Sequence, residues 1–174
     1  MQIKMKNVRL SFPNLFRKAV FQGTETKYEA TFLLDKEEHA DTIKKIDDAI
    51  AAMLKDKKAK LGADKICFKD GDEIDYQGYA GTMTIKASNA KRPLVINKDK
   101  SPLTEDDNII YSGCYVNAII SLWFQDNGFG KRINGSLEAV QFAKDGQPFG
   151  DGGSKASADD FDVIDDDDDD EPAF

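Results

Sequence analysis

The residue types that carry out catalysis are scarce in this chain and poorly spaced for it. The one histidine, His39, falls among acidic residues at the start of an amphipathic segment, where a solvated side chain is expected. Cys67 and Cys114 are far apart and show no C-x-x-C spacing, so an ordinary zinc site is not available. No phosphate-binding loop, nucleophile elbow or dinucleotide-binding glycine pattern occurs. The sequence therefore predicts no catalytic residue, no metal site and no cofactor.

Carboxylates are plentiful, and a two-metal nuclease would need several of them around one cavity. The acids of the first 150 residues fall mostly in predicted loops and on a predicted helix surface. Those near the C-terminus lie on a stretch too flexible, by its composition, to hold two ions at a fixed separation. A metal-dependent nuclease is therefore the weaker alternative, and magnesium-dependent loss of an oligonucleotide would reveal it.

Aromatic and cationic side chains favour the binding of single-stranded nucleic acid. Such binders use cations for phosphates and exposed rings for stacked bases. In the alternating segment 115–124, one face combines aromatic and polar side chains, and the outer face of segment 82–88 is polar. We expect these faces to share one concave surface, although the rings of 115–124 could instead cover a second small core and Phe16 could pin its loop. The predicted nucleic-acid-binding residues, with the clusters flanking that surface, are Phe12, Phe16, Arg17, Lys86, Lys91, Arg92, Tyr115, Asn117, Trp123, Phe129, Lys131 and Arg132.

Charge divides the 174-residue chain into two parts. Residues 151–174 hold eleven acids and one base, a net charge of −10. The preceding 150 residues hold 23 bases and 21 acids, a net charge of +2. This asymmetry predicts a folded domain over 1–150 and a disordered acidic protein-interaction tail over 151–174.

The tail ends in an acidic run followed by Pro-Ala-Phe. It resembles the C-terminal tails of bacterial and phage single-stranded DNA-binding proteins, in which acidic residues before a final phenylalanine recruit replication partners. The resemblance implies that the tail binds replication or recombination proteins, and its charge suggests that it also competes with DNA for a cationic groove. The predicted partner-binding residues are Asp165, Asp166, Asp167, Asp168, Asp169, Asp170, Glu171 and Phe174.

Hydrophobic periodicity predicts a mainly β domain with one helix. Alternation marks strands near 3–12, 27–34, 82–88, 115–124 and 131–142, with a bulge near Lys6-Asn7 and a hairpin turn at Asn127-Gly128. Residues 94–96 form a short apolar run. An apolar stripe at helical spacing predicts an amphipathic helix at about 36–61, begun by Asp35 and ended by Gly62. Residues 15–26 are interpreted as a long loop. Because no β-α-β alternation occurs, the fold class predicted is a five-stranded antiparallel barrel like an OB-fold, with the helix inserted after the second strand.

Four blocks of the domain carry a second resemblance. They are residues 5–12 (MKNVRLSF), 112–118 (SGCYVNA), 127–132 (NGFGKR) and 137–150 (LEAVQFAKDGQPFG). Together they resemble the phage-encoded single-stranded DNA-binding proteins over nearly the whole domain. The resemblance implies an OB-fold, sequence-independent binding of single-stranded DNA, no cofactor, and a role in phage replication and recombination.

Composition also indicates where in the cell the protein is expected, and it leaves one alternative function open. The two cysteines are expected to be free thiols, and the sequence shows neither a signal peptide nor an apolar run long enough to cross a membrane. We therefore expect the cytoplasm of the bacterial host, with the oligomeric state left open. Because the domain carries only +2, the alternative is an acidic-tailed interaction or DNA-mimicking module with no DNA affinity of its own.

Overall fold

Five long strands wrap around one hydrophobic core and close on themselves. The computed structural model describes residues 1–150 and 162–164. Within this part of the chain, one α-helix, α1, spans Ala40–Asp56, and no helix is long and apolar enough to cross a membrane. The strands are β1 (Gln2–Asn14), β2 (Val20–Phe21), β3 (Thr24–Glu25), β4 (Tyr28–Asp35), β5 (Phe68–Asp70), β6 (Thr82–Asn89), β7 (Leu94–Ile96), β8 (Tyr115–Asn127) and β9 (Gly130–Lys144).

The barrel runs in the order β6, β4, β1, β8, β9, and each of these neighbouring pairs is antiparallel. It closes where β6 meets β9 in parallel, at Ser88 and Ser136. Elsewhere along these two strands, β5 pairs with β6 and β7 pairs with β9, which covers part of their edges against pairing with other chains. This five-stranded barrel is like an OB-fold, with α1 between its second and third strands. The predicted fold class is confirmed.

Side-chain alternation places the core as the sequence predicts. On β8, Val116, Ala118, Ile120 and Leu122 are buried inside the barrel, whereas the residues between them face outward. On β1 the inward parity changes between Met5 and Val8, where the pairing register with β8 shifts. Asn7 has a φ of 55° at this point, so the extra residue of the bulge is accommodated by left-handed backbone. The predicted bulge is confirmed.

The helix is shorter than predicted at both ends. Instead of starting near residue 36, it begins at Ala40, because the Asp35 carboxylate accepts the backbone N–H groups two and three residues further on, at 2.9 Å each, and holds 36–39 as a turn. It ends at Asp56, before the predicted Gly62, because Lys58 adopts a left-handed φ of 50°. Its apolar stripe still packs on the barrel through Ile46 and Ile50.

His39 is partly exposed, as expected for a surface histidine, but hydrogen bonds fix its ring. Its Nδ1 accepts the backbone N–H of Asp35 at 3.1 Å, so its Nε2 carries the proton and donates to the Lys6 carbonyl oxygen at 2.9 Å. The imidazole thus joins the start of α1 to the bulge in β1.

Residues 15–26 are not a simple loop. They carry the short hairpin formed by β2 and β3, which is closed by hydrogen bonds between Ala19 and the residues that follow β3. Leu15 anchors the segment in the core, whereas Val20 and Phe21 are about two-thirds exposed at the hairpin. The Gln22-Gly23 turn, with positive φ at both residues, makes the reversal possible.

Candidate nucleic-acid interface

An open groove of about 610 Å³ crosses the outer face of β4 and β6. Four cationic side chains and two acidic ones line it, together with two tyrosines and a phenylalanine. In OB-folds this face of the second and third barrel strands is the one that binds oligonucleotides. The lining side chains include Phe12, Glu29, Thr31, Asp64, Lys65, Cys67, Lys69, Tyr76, Tyr79, Lys86, Arg132 and Asn134.

The floor of the groove is built from cross-strand pairs. Thr31 of β4 lies opposite Lys86 of β6, and Glu29 lies opposite Ser88. The Lys86 ammonium, on a side chain 61% exposed, is 3.3 Å from the carboxylate of the more covered Glu29. An exposed pair of this kind is weak, since water and salt screen it. Lys86 is therefore available to exchange its carboxylate partner for a phosphate.

The connection between α1 and β6, residues 57–81, fills the gap where β6 and β9 diverge. Cys67 donates its backbone N–H to the Ile133 carbonyl oxygen of β9 at 3.0 Å and accepts the Lys86 N–H of β6 at 3.2 Å. This docking brings Lys65 and Lys69 to the groove. Burial raises the pKa of the Cys67 thiol to about 11, so the thiol is neutral at physiological pH.

A cluster of charges holds this connection against the end of β4. The Lys36 ammonium lies 2.9 Å from the Asp70 carboxylate and 2.7 Å from that of Asp72, which also accepts the Gly81 backbone N–H. Hydrogen bonding to the ammonium lowers the pKa of Asp70, and the Gly81 N–H followed by the ammonium lowers that of Asp72. Lowered carboxyl pKa values mean that the cluster stabilises the fold above the ordinary aspartate range and loses this effect as the pH falls.

Aromatic rings form the β1 side of the groove. Phe12 has a φ of 48°, at the register shift between Ser11 and Asn14, and this bulge turns its ring onto the Tyr76 ring with centroids 5.2 Å apart. Tyr76 in turn meets Tyr79 edge-on at 5.3 Å, and the Tyr79 hydroxyl donates to Ser11 Oγ at 2.9 Å. Tyr79 is buried, whereas Tyr76 is 57% exposed. The groove therefore has an aromatic side and a cationic side.

The structure brings three of the residues predicted from sequence together in this groove, namely Phe12, Lys86 and Arg132. Trp123 lies beside it, since it is 41% exposed and pairs on the outer face with Asn134, which lines the groove. Phe129 and Lys131 are exposed at the β8–β9 hairpin, where Phe129 is 89% exposed.

Four other predicted residues form a separate group beyond the end of the groove. The Arg92 guanidinium lies 5.6 Å from the centre of the Phe16 ring, and Phe16 packs partly on the core. Arg17 donates to the Glu105 carboxylate at 2.7 Å. Lys91 is exposed in the same loop as Arg92, after β6. None of these four residues lines the groove, so they would contact a bound strand only if it continues past the end of β6.

Tyr115 and Asn117 do not share a surface with the groove. Tyr115 lies at the opposite end of β8 from Trp123, about 26 Å away at 3.3 Å per residue. Its ring is covered by Arg9 and Lys144, whose charged groups lie 5.7 and 4.8 Å from the ring centre. Asn117 holds strands together, because its Oδ1 accepts the Asn7 N–H and its Nδ2 donates to Gln141. The expectation that the whole outer face of β8 joins that of β6 is therefore wrong, since β9 lies between them.

Sequence reasoning missed the groove residues of the α1–β6 connection. Tyr76, Lys65 and Lys69 come from a turn-rich stretch without periodicity, and nothing local shows which face of the barrel it covers. The one available signal is Tyr76 itself, an aromatic residue between an aspartate and a glutamine. The predicted tail residues, 165–171 and 174, lie outside the described part of the chain.

We expect Trp123 to report on occupancy of the groove. It is the one tryptophan, so the emission is specific to this position. Stacking of a base on the indole should quench the fluorescence when oligo-dT binds. A titration followed in parallel by anisotropy of a labelled oligonucleotide checks this. Unchanged emission at saturation would show that DNA does not pass over the outer face of β8 at this end.

The fold and the groove define the class of this protein. A closed five-stranded barrel with an aromatic and cationic groove across its second and third strands is like an OB-fold, in which this face is the one that binds oligonucleotides. The chain belongs to the family described as the ssDNA-binding protein of Enterobacter phage Enc34, whose model matches residues 1–172. This family is a class of binding proteins and not of enzymes.

The chain is also similar to individual proteins and solved structures. Protein p50 of Acyrthosiphon pisum secondary endosymbiont phage 1 is 42% identical over 176 residues, covering 94% of each chain. The single-stranded DNA-binding protein from bacteriophage Enc34 has been solved in complex with ssDNA, with 36% identity, a TM-score of 0.76, and coverage of 86% of this chain and 89% of that one. A second structure of the single-stranded DNA-binding protein from bacteriophage Enc34 gives a TM-score of 0.77 at 36% identity, covering 91% of this chain and 88% of that one.

Proposed function

We propose that this chain binds single-stranded DNA without sequence preference, in the groove across β4 and β6. The observation that supports this most directly is the placement of four cations and an exposed aromatic ring along one open groove of an OB-fold. Family membership supports it too, because a relative at 36% identity is described in complex with ssDNA.

The two sides of the groove divide the work of binding. Lys65, Lys86 and Arg132 neutralise phosphates, which carry no sequence information. Tyr76 and Phe12 offer ring faces and edges on the opposite side, where any base can stack. Because both interactions are indifferent to base identity, affinity depends on strand geometry and salt and little on sequence.

Anisotropy of labelled oligonucleotides tests the proposal. Oligo-dT, oligo-dA and oligo-dC should bind with similar affinity. For each phosphate neutralised, the logarithm of that affinity should fall by about 0.7 for every tenfold rise in salt concentration. The oligonucleotides should remain intact in magnesium. A chain that leaves every oligonucleotide unbound at low salt would instead be the interaction module without DNA affinity, and shortened oligonucleotides would indicate a nuclease.

The acidic tail supplies a second activity in this proposal, the recruitment of proteins. Residues 165–171 are seven consecutive acids, and the chain ends in Phe174. A partner with a basic patch beside an apolar pocket would bind both features, the acids by charge and the phenylalanine by burial. We place the protein in phage DNA replication and recombination in the cytoplasm of the bacterial host, with replication or recombination proteins as the partners of the tail.

The tail also competes with DNA for the groove. Covalent attachment gives it an effective concentration around millimolar, as for short flexible linkers, so even a weak attraction between −10 and a cationic groove covers the site part of the time. Removal of residues 151–174 should tighten ssDNA binding at low salt on the order of ten-fold, about 1.4 kcal/mol. The gain should shrink as salt rises.

Two variants separate the roles of the tail. Replacement of Asp165 to Asp170 by asparagine in the full chain should reproduce a large part of the tighter DNA binding, because it removes six of the eleven acids and keeps the length of the tail. Deletion of Phe174 alone should leave DNA affinity nearly unchanged and weaken binding of a replication partner. Isotherms of the full-length and shortened proteins that coincide at low salt would rule out competition.

A further inference from the structure

Three of the four sequence blocks named above converge at one place outside the groove. Arg9, from block 5–12, donates from Nε to the Gly113 carbonyl oxygen at 3.0 Å and from Nη2 to the Gln147 carbonyl oxygen at 2.6 Å. Gly113 belongs to block 112–118, and Gln147 belongs to block 137–150. Residues 145–150, which follow β9, are called the strap. Arg9 therefore joins three segments: β1, the residues just before β8, and the strap.

The strap packs closely against the barrel, and its contacts fix its position. A Cβ atom at Gly113, whose φ is 108°, would collide with the carbonyl oxygen of Gln147. The Phe149 N–H donates to the Ser112 carbonyl oxygen at 3.0 Å, and Tyr111 accepts the Gly146 N–H at 3.0 Å. This many specific contacts on a six-residue segment indicate one defined position.

The last two strap residues hold the turn that carries Tyr76. The Phe149 ring rests directly on Gly78, where any Cβ would collide with it, and Gly78 has a φ of 83° that favours glycine. The Gly150 N–H donates to Gln77 Oε1 at 3.3 Å. Phe149 is 8% exposed and packs in a small cluster with Leu33 and Tyr79, against which Phe12 is also packed. The Arg9 guanidinium lies over the Phe149 ring, 4.1 Å from its centre.

We propose that the strap positions the aromatic side of the groove, with Phe149 as the positioning residue for Tyr76. Tyr76 is 57% exposed and has its ring contacts with Phe12 and Tyr79. Both of these rings belong to or pack on the cluster that Phe149 completes. Loss of Phe149 leaves the turn at 76–79 without support from below, so Tyr76 spends less time where a base can stack on it. This inference rests on the proposed function.

A double-mutant cycle in the full-length chain tests the strap. Phe149→Ala, Tyr76→Ala and the double variant are titrated with labelled oligo-dT, at a salt concentration where neutralising the tail aspartates no longer changes affinity. Phe149→Ala alone should weaken binding about ten-fold, equal to about 1.4 kcal/mol. In the Tyr76→Ala background the same change should have nearly no effect, because the residue through which it acts is gone. The salt slope should stay that of the unaltered chain, since no phosphate contact is removed.

Matched variants separate positioning from general loss of stability. Val95→Ala also opens space at a buried site, in β7 and outside the groove, so it should lower the unfolding temperature and leave DNA affinity unchanged. Phe149→Leu keeps an apolar side chain on Gly78 and should lose less affinity for oligo-dT than Phe149→Ala. If the alanine variant does not fold, the leucine variant takes its place in the cycle. The role of the strap would be overturned if the two affinity losses were additive in the double variant. It would also be overturned if Phe149→Ala left DNA affinity unchanged while Tyr76→Ala lowered it. Failure of the unaltered chain to bind oligo-dT would overturn the proposed function itself.

Discussion

Reversal of the two central cations of the groove, Lys86→Glu with Arg132→Glu, should weaken ssDNA binding on the order of 100-fold at 0.1 M salt. When the logarithm of affinity is plotted against the logarithm of salt concentration, each phosphate contact on single-stranded DNA adds about 0.7 to the slope. Loss of two contacts therefore costs about 25-fold at 0.1 M salt, relative to about 1 M salt, where this contribution vanishes. The reversed charges add repulsion, and a glutamate at 86 would also lie near Glu29, the carboxylate on β4 that pairs with the Lys86 ammonium. The slope itself should fall by about 1.4.

The same number of charges can be reversed away from the groove. Lys55→Glu with Lys57→Glu alters two exposed lysines at the end of α1, which do not line it. This variant has the same net charge as the groove variant, and it should retain affinity within a few-fold and keep nearly the whole slope. Anisotropy titrations at several salt concentrations measure both quantities. Equal losses in the two variants would show that net charge alone attracts DNA and that the groove is not the site.

Local patterning was sufficient for the barrel and for one side of the groove. Alternation along a strand decides which residues face outward, so the outward positions of Lys86 and Trp123 could be predicted. The change of parity near Lys6 likewise predicted the bulge that the structure shows at Asn7. The charge of Lys86 and Arg132 on outward positions pointed to the cationic side, because buried positions rarely accept unpaired charges.

The other side of the groove depends on which strands become neighbours, and alternation does not contain that information. Tyr115 and Trp123 share one face of β8, yet one ring is covered by the strap and neighbouring cations while the other borders the groove. Alternation places Tyr115 on an outward face, but it does not show which segments cover that face, so the surface expected to be shared with the groove does not extend to this end of β8. A role of Tyr115 in DNA binding stays a prediction. Tyr76 was missed for the converse reason, since an irregular segment reaches the groove only through contacts with distant residues such as Ile133.

Tyr76 has the largest expected effect of any uncharged side chain in the groove. Base stacking on an aromatic ring is worth about 1–3 kcal/mol per base by alanine substitution, so Tyr76→Ala should weaken ssDNA binding by about five- to 150-fold. The salt slope should not change, because a ring that stacks on a base contacts no phosphate. Because the side chain is 57% exposed, the cost to folding should be modest, and thermal unfolding of each variant measures it.

Two further substitutions at Tyr76 identify the interaction. Tyr76→Phe keeps the π-face and should bind oligo-dT nearly as well as the unaltered chain, whereas Tyr76→Leu keeps apolar bulk without a ring and should lose most of what alanine loses. This order, with phenylalanine well above leucine, is expected only if the flat face of the ring receives a base. Leucine equal to phenylalanine would mean that position 76 merely shields apolar surface beside Phe12. Full affinity in the alanine variant would place the bound strand on the cationic side alone, and the barrel would then hold DNA by its backbone without stacking at this position.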